Sequence, residues 1–242
     1  MSTLQYVAKN VGVIEALKRL GIDLAEKTIV NVFGPPMAGK STLSLLLARE
    51  LGVKTTVIAC EPSYEEEPFI KFLNRVVGSD FKYDLRRVSS FAELLKTLRE
   101  IREGIVIIDS LSALSDLEAQ QWYERGVDTR VVAAKVIPLV RAATLRLRYL
   151  VNRFNGYGVI ITHATSTAGS FKYRGRFDLR PSLAMRCGHY IDYELLLRIT
   201  NGGYRELTVT ASRTSPWIEG RSIKFRFKLG GIELIEKEAK EK

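Results

Sequence analysis

The chain has 242 residues, 46% of them hydrophobic, enough to bury a substantial core. Lys and Arg number 37 against 27 Asp and Glu, a formal net charge of +10 that favours polyanionic partners, nucleic acid before acidic membrane surface. Cys60 and Cys187 alone build no disulfide framework, and with only His163 and His189 beside them a zinc set is excluded. The sequence opens without a signal-peptide pattern and has no apolar run near the ~20 residues of a membrane span, so a soluble, cytoplasmic protein is expected.

Residues 1–24 read as a short amphipathic lead-in, with Val11, Ile14, Leu17 and Leu20 at helical spacing. Lys27–Phe33 reads as a buried strand, Lys40–Leu51 as a helix and Lys54–Cys60 as a second strand. A helix is expected over Glu66–Val77 and a short edge strand over Phe81–Val88. Ser90-Phe91-Ala92-Glu93 is a capping box opening a helix to about Arg102. Gly104–Ser110 is the most apolar strand. A long helical stretch from about Asp128 to Asn155 follows, with a kink or break expected at Pro138. Tyr157–Thr162 is another buried strand. These strands are continuously apolar rather than alternating, as parallel strands covered on both faces are, and their alternation with helices implies right-handed crossovers.

The texture then changes. Thr165–His189 has no period and is rich in Ser, Gly, Arg and aromatics. Tyr190–Thr200, the turn Asn201-Gly202-Gly203, Glu206–Ser212, Ile223–Phe227 and Gly230-Gly231 form a hairpin-rich, antiparallel ending. Residues 236–242 read as a solvated charged tail. With neither repeat nor long linker, the expectation is one α/β domain over 1–242.

The segment Gly34-Pro35-Pro36-Met37-Ala38-Gly39-Lys40-Ser41 carries the pattern G-x-x-x-x-G-K-[ST]. From average composition, a chain of this length shows that pattern by chance about 1% of the time. It follows a predicted strand and opens a predicted helix, as its chemistry requires. Glycines let backbone N–H groups turn inward around phosphate oxygens, and the helix N-terminus adds its positive dipole end. Lys40 would supply charge to the β/γ-phosphates, Ser41 a ligand to Mg2+, and Thr42 a contact to the α-phosphate. The expected cofactors are therefore ATP and Mg2+.

Asp109 ends the Ile-Val-Ile-Ile strand, where a carboxylate can hold the magnesium shell. Glu61 ends the second strand and could orient or deprotonate the attacking water. Glu65, Glu66 and Glu67 follow closely and fit the acidic first turn of a helix better. His163 ends Val-Ile-Ile-Thr-His, where it could report hydrolysis to the next loop or simply be a satisfied polar side chain.

Gly34–Ser41, then Glu61, then Asp109 in Ile-Ile-Asp-Ser-Leu, then Thr162-His163 resemble the RecA/RadA recombinase superfamily in order and spacing, over roughly residues 20–235. The resemblance implies a P-loop NTPase of the RecA-like type, with a mainly parallel sheet flanked by helices and an antiparallel C-terminal β-hairpin extension. In that family the strand ending here at His163 lies between the P-loop strand and the strand of Asp109. It also implies ATP hydrolysis with Glu61 as the catalytic glutamate, a first DNA-binding loop between Ser112 and Thr129, and a second over Thr165–His189. Protomers of the family can assemble with nucleotide at their interface. The chain departs from the filament-forming recombinases in its lead-in, which carries no Phe-x-x-Ala motif. It departs again at His163, where those proteins carry Asn then Gln, and at Ala211, where an aspartate of the ATP cap would stand. The departures fit an archaeal-type RadA paralogue that assists recombination and repair, partnered by a recombinase or other repair proteins, and they argue against filament formation.

The run Ser170–Arg180 interleaves Lys172, Arg174, Arg176 and Arg180 with Phe171, Tyr173 and Phe177. Cations neutralise phosphates and aromatic rings stack on unpaired bases, so single-stranded DNA fits this pattern. The same pattern also describes a basic surface loop with its aromatics tucked onto the core. Arg141, Arg146, Arg148 and Arg153 read as the exposed side of an amphipathic helix. Two other classes of function stay open: a KaiC-like or motility-type ATPase acting on a protein partner, and a P-loop kinase of a small metabolite.

Overall fold

The computed structural model describes residues 6–167, 173–174, 176–182 and 188–237. Its strands are β1 (Tyr6–Val11), β2 (Ile29–Gly34), β3 (Thr55–Ala59), β4 (Asp84–Arg87), β5 (Ile105–Asp109), β6 (Tyr157–Ser166), β7 (Leu179–Pro181), β8 (Tyr193–Ile199), β9 (Arg205–Ser212), β10 (Ser222–Lys228) and β11 (Gly231–Lys237). Its helices are α1 (Val13–Arg19), α2 (Lys40–Leu51), α3 (Glu67–Val76), α4 (Phe91–Glu100), α5 (Leu111–Glu124) and α6 (Thr129–Phe154).

The strands join in one sheet, in the order β1-β11-β10-β9-β8-β2-β6-β5-β3-β4, with β7 added beside β6. From β8 to β4 every pairing is parallel. From β8 outward to β1 every pairing is antiparallel. As the resemblance implied, β6 separates β2 from β5. Two cores follow from the two faces. Val30, Val32 and Val57 pack with Leu43, Leu46 and Leu17 from α1 and α2. Ile58, Val106 and Ile108 pack with Leu94, Leu98, Val140 and Leu147 from α4 and α6. The residues of β2, β3 and β5 are buried throughout, the continuous pattern of strands covered on both sides. β10 instead alternates, with Phe225 buried between exposed Lys224 and Arg226, because helices cover only one face there.

Local chemistry explains several boundaries. Ser90 accepts a hydrogen bond from the Glu93 N–H, while Glu93 accepts one from the Ser89 N–H, so α4 starts on a box shifted by one residue; such a cap contributes about 1 kcal/mol. α2 ends on Gly52 in the left-handed region, φ 65°.

Four expectations are corrected. The lead-in is not wholly helical: Tyr6–Val11 is a strand paired antiparallel to β11, and among its described residues only Val13–Arg19 forms an α-helix. Val11 was read at helical spacing, yet it is buried because β11 lies beside it. The segment matched to a first DNA-binding loop is mostly α5, a 14-residue helix that Ser110 caps by accepting from the Ala113 N–H. Of the kink or break expected at Pro138, the break is overturned: α6 runs 26 residues through it. The end at 236 is not all tail, since β11 continues to Lys237. In the described part of Thr165–His189, β6 runs on to Ser166, and Leu179–Pro181 returns antiparallel to it as β7.

Candidate phosphate and metal site

The loop between β2 and α2 has the shape its sequence demands. Gly39 takes φ 98°, and a Cβ there would meet the Phe227 ring at 2.4 Å, so both backbone freedom and missing bulk are used. A Cβ on Gly34 would strike the Leu197 carbonyl oxygen at 2.1 Å, where β2 leaves the sheet beside β8. Met37 is strongly exposed at φ 61°, whereas Ala38 and Thr42 are buried; Pro35 and Pro36 stiffen the turn between. Lys40 is buried, and its Nζ donates to the carbonyls of Pro35 (2.9 Å) and Gly34 (3.2 Å). Burial pulls its ammonium pKa down, with Asp109 and Glu61 opposing. A buried ammonium folded back onto its own loop, beside a left-handed glycine, is a cradle suited to an anion.

Asp109 ends β5 and is only 4% exposed. Burial pushes its carboxyl pKa up, and hydrogen bonds from Ser41 and Tyr64 act against that shift. The Tyr64 hydroxyl donates to Asp109 Oδ2 at 2.8 Å. Tyr64 is itself buried, at the end of the Pro62–Glu65 turn that follows Glu61, with its ring edge-on to Phe69. Among the described residues no three His, Cys, Asp or Glu form a metal cage. A hydroxyl and one carboxylate suit Mg2+ completed by phosphate oxygens and water.

Glu61 stands beside them. Ser110 Oγ donates to its Oε1, and His163 Nε2 lies 3.2 Å from the same oxygen. The His163 hydrogen bond, ahead of that from Ser110, holds the Glu61 carboxyl below the usual carboxylate range although burial opposes it. His163 is tied twice through its backbone: its N–H donates to Ser112 Oγ (2.9 Å), and its carbonyl accepts from the Ser182 N–H (3.0 Å). A cleft of about 260 Å3 opens next to Glu61, lined by Cys60, Pro62, Glu65, Arg87 and Leu117 among others.

Lys40, Ser41, Glu61, Asp109 and His163 thus meet at the C-terminal edge of β2, β3, β5 and β6, where open α/β sheets bind ligands. The described residues of the basic-aromatic run make contacts of their own. The Tyr173 hydroxyl donates to buried Glu194 (2.7 Å), and burial pushes the Tyr173 phenol pKa up to about 12. Arg174 Nη1 lies 3.6 Å from Glu219, and Arg176 donates to the Glu219 carbonyl (3.3 Å). Phe177 bridges back to Tyr173, and Arg180 sits in β7 opposite Thr165. Lys172 lies outside the described residues.

Sequence reading missed Tyr64, Ser110, Arg205 and Phe227. Arg205 Nε donates to the Ala38 carbonyl (3.2 Å), and its guanidinium lies over the Phe227 ring that packs on Gly39. Nothing local marks these two. Tyr64, an aromatic three residues after Glu61 in a proline turn, offers a weak local signal.

The fold, with its strand order and its loop between β2 and α2, is that of a RecA-like P-loop NTPase core. Among solved structures the chain is similar to the RadB recombinase, at 19% identity and a TM-score of 0.61, over 90% of this chain and 94% of that one. No family model matches the sequence, and no curated protein does. With 573 solved chains matching the fold, architecture alone does not choose an activity.

Proposed function

We propose that this chain is a Mg2+-dependent ATPase that binds single-stranded DNA and assists homologous recombination or DNA repair. The observation that carries it is the convergence of Lys40, Ser41, Asp109 and Glu61 on one sheet edge, with Ser41 close enough to Asp109 to oppose the upward push of burial on its carboxyl pKa. Residues 34–42 would bind the phosphates, with backbone N–H groups and Lys40 facing the negative charge. Ser41 and Asp109 would hold Mg2+, which when bound neutralises charge developing on the phosphate oxygens. Glu61, kept ionised by His163 and Ser110, accepts the proton of the attacking water. His163 touches the base with its ring and, through its carbonyl, accepts from the N–H of Ser182 just after β7, which supports a link between hydrolysis and the Thr165–His189 segment.

The test is phosphate release by the purified protein, with and without single-stranded DNA, at low and moderate salt. Stimulation by DNA and loss in Lys40→Ala support the reading. Removing charge from Lys172, Arg174 and Arg176 together should weaken DNA binding and flatten its salt dependence; unchanged affinity and slope would remove this segment from the DNA site. A second reading, an ATPase working on a protein partner, is favoured by the engagement of Tyr173, Arg174 and Arg176 with Glu194 and Glu219. Lys40-dependent hydrolysis indifferent to DNA, with no DNA bound at low salt, selects it.

A further inference from the structure

Helix α6 is apolar on two faces. Its inner face, including Val132, Val136, Val140, Leu147 and Leu150, fills the second core. Its outer face leaves Val131 at 46%, Leu145 at 51% and Tyr149 at 47% exposure, with exposed Pro138 between. Positions 131, 138, 145 and 149 are separated by steps of seven, seven and four, which return to one side of a helix. They form a single seam rather than scattered exposed side chains.

The flanks of that seam carry one sign of charge. At about 100° per residue, Lys135, Arg146 and Arg153 fall on one side and Arg130 and Arg141 on the other. Residues 129–154 contain no Asp or Glu. Among the described residues only Arg148 of this helix is ion-paired, turned inward to Asp192. Two of the other guanidiniums reach the seam: those of Arg146 and Arg153 lie 5.1 and 5.8 Å from the Tyr149 ring, and Arg153 donates to its hydroxyl. Arg146 Nε is buried with no hydrogen-bond partner among the described residues.

A phosphate backbone would use the cations and leave the seam wet. An amphipathic helix with apolar residues at three- and four-residue spacing and acidic flanks would use both. We infer that the outer face of α6 docks an acidic amphipathic helix of a partner protein, its apolar residues along Val131, Pro138, Leu145 and Tyr149 and its carboxylates against Arg141, Arg146 and Arg153. Charge complementarity sets the orientation and the seam supplies the buried area. None of these residues belongs to the phosphate site, so the surface can be changed without touching it.

The probe is a fluorescein-labelled synthetic helix with Leu at heptad spacing and Glu on both flanks, titrated by anisotropy into the full chain. Saturable binding is expected, absent for a scrambled peptide of equal composition and retained in Lys40→Ala. Leu145→Ser, and separately Arg141→Glu with Arg153→Glu, should each weaken it about ten-fold or more. All are exposed positions, and unchanged melting verifies the fold. No binding of the peptide, or equal binding by Leu145→Ser, overturns the inference. So does oligothymidylate binding that the arginine changes abolish and Leu145→Ser spares, which would make the face a nucleic-acid surface. Self-association lost in Leu145→Ser would overturn it in favour of a second copy of the chain.

Discussion

The two halves of the proposed catalytic apparatus, the turn carrying Glu61 and the strand carrying Asp109, are tied by a phenol as well as by the Ser110–Glu61 hydrogen bond. Tyr64 reaches Asp109 from three residues beyond Glu61, and its hydroxyl is buried where water cannot replace it. Removing a hydrogen bond to a buried charged group costs roughly 1.5–3 kcal/mol. Tyr64→Phe keeps the ring and its packing on Phe69. It should therefore leave Mg2+-free nucleotide binding unchanged while raising about ten-fold the Mg2+ needed for half-maximal hydrolysis. Nucleotide titrations with and without Mg2+ check this; an unchanged Mg2+ requirement means the phenol only fills space. His163 makes a second prediction at this scale. Its hydrogen bond is the largest cause lowering the Glu61 pKa, so His163→Ala should let that pKa rise. Glu61 would then stay protonated to higher pH, and the acid limb of the turnover profile should move upward, with activity recovering as pH increases. The sign carries to stability: a depressed carboxyl stabilises above its unfolded pKa, and that contribution is lost as pH falls through the folded value. A profile that drops uniformly without moving would assign His163 a merely structural role.

Among the elements, α6 is fastened to the sheet by a buried pair. Arg148 donates to Asp192 Oδ2 (2.6 Å) and to the carbonyls of Tyr190 and Lys27, and the same Asp192 oxygen accepts the Ile29 N–H at the start of β2. The two side chains are 13% and 9% exposed. Arg148→Ala leaves the Asp192 carboxylate with the Ile29 N–H and a longer pairing to exposed Arg213 (3.7 Å), and should cost about 2 kcal/mol in urea unfolding; a loss under ~1 kcal/mol would show the pair to be replaceable by Arg213 or water. Elements were legible in the sequence where their signals were local. The strands ending at Gly34, Ala59 and Asp109 and the helix opening at Lys40 announce themselves by apolar runs, glycines and caps. β1 did not, because six residues become a strand only when β11, some 220 positions away, lies beside them. α5 carries a local signal in its Ser110 cap, one that went unused when the segment was matched to a loop by the family resemblance. The site was legible as positions on strand ends, and Tyr64 was not, since its partner is distant in sequence.

At the scale of the molecule, the strand that closes the sheet guards an edge. β1 covers β11 along six paired positions, and without it β11 would present unpaired N–H and carbonyl groups to solvent. Deleting residues 1–11 should lower the melting temperature and make the protein self-associate with rising concentration, read by light scattering. A monomeric truncated chain of unchanged melting would mean that β11 needs no cover. β2 has the other special place in the sheet, bordered by β6 on one side and by β8, the first strand of the antiparallel half, on the other. The loop leaving β2 has neighbours on both sides: Asp109 faces Ser41 from the parallel half, while Arg205 and Phe227 pack on Ala38 and Gly39 from the antiparallel half. The outer strands are therefore placed as a handle on the loop: a displacement of β9 or β10 would meet, through one guanidinium and one ring, the peptide units that would grip phosphate.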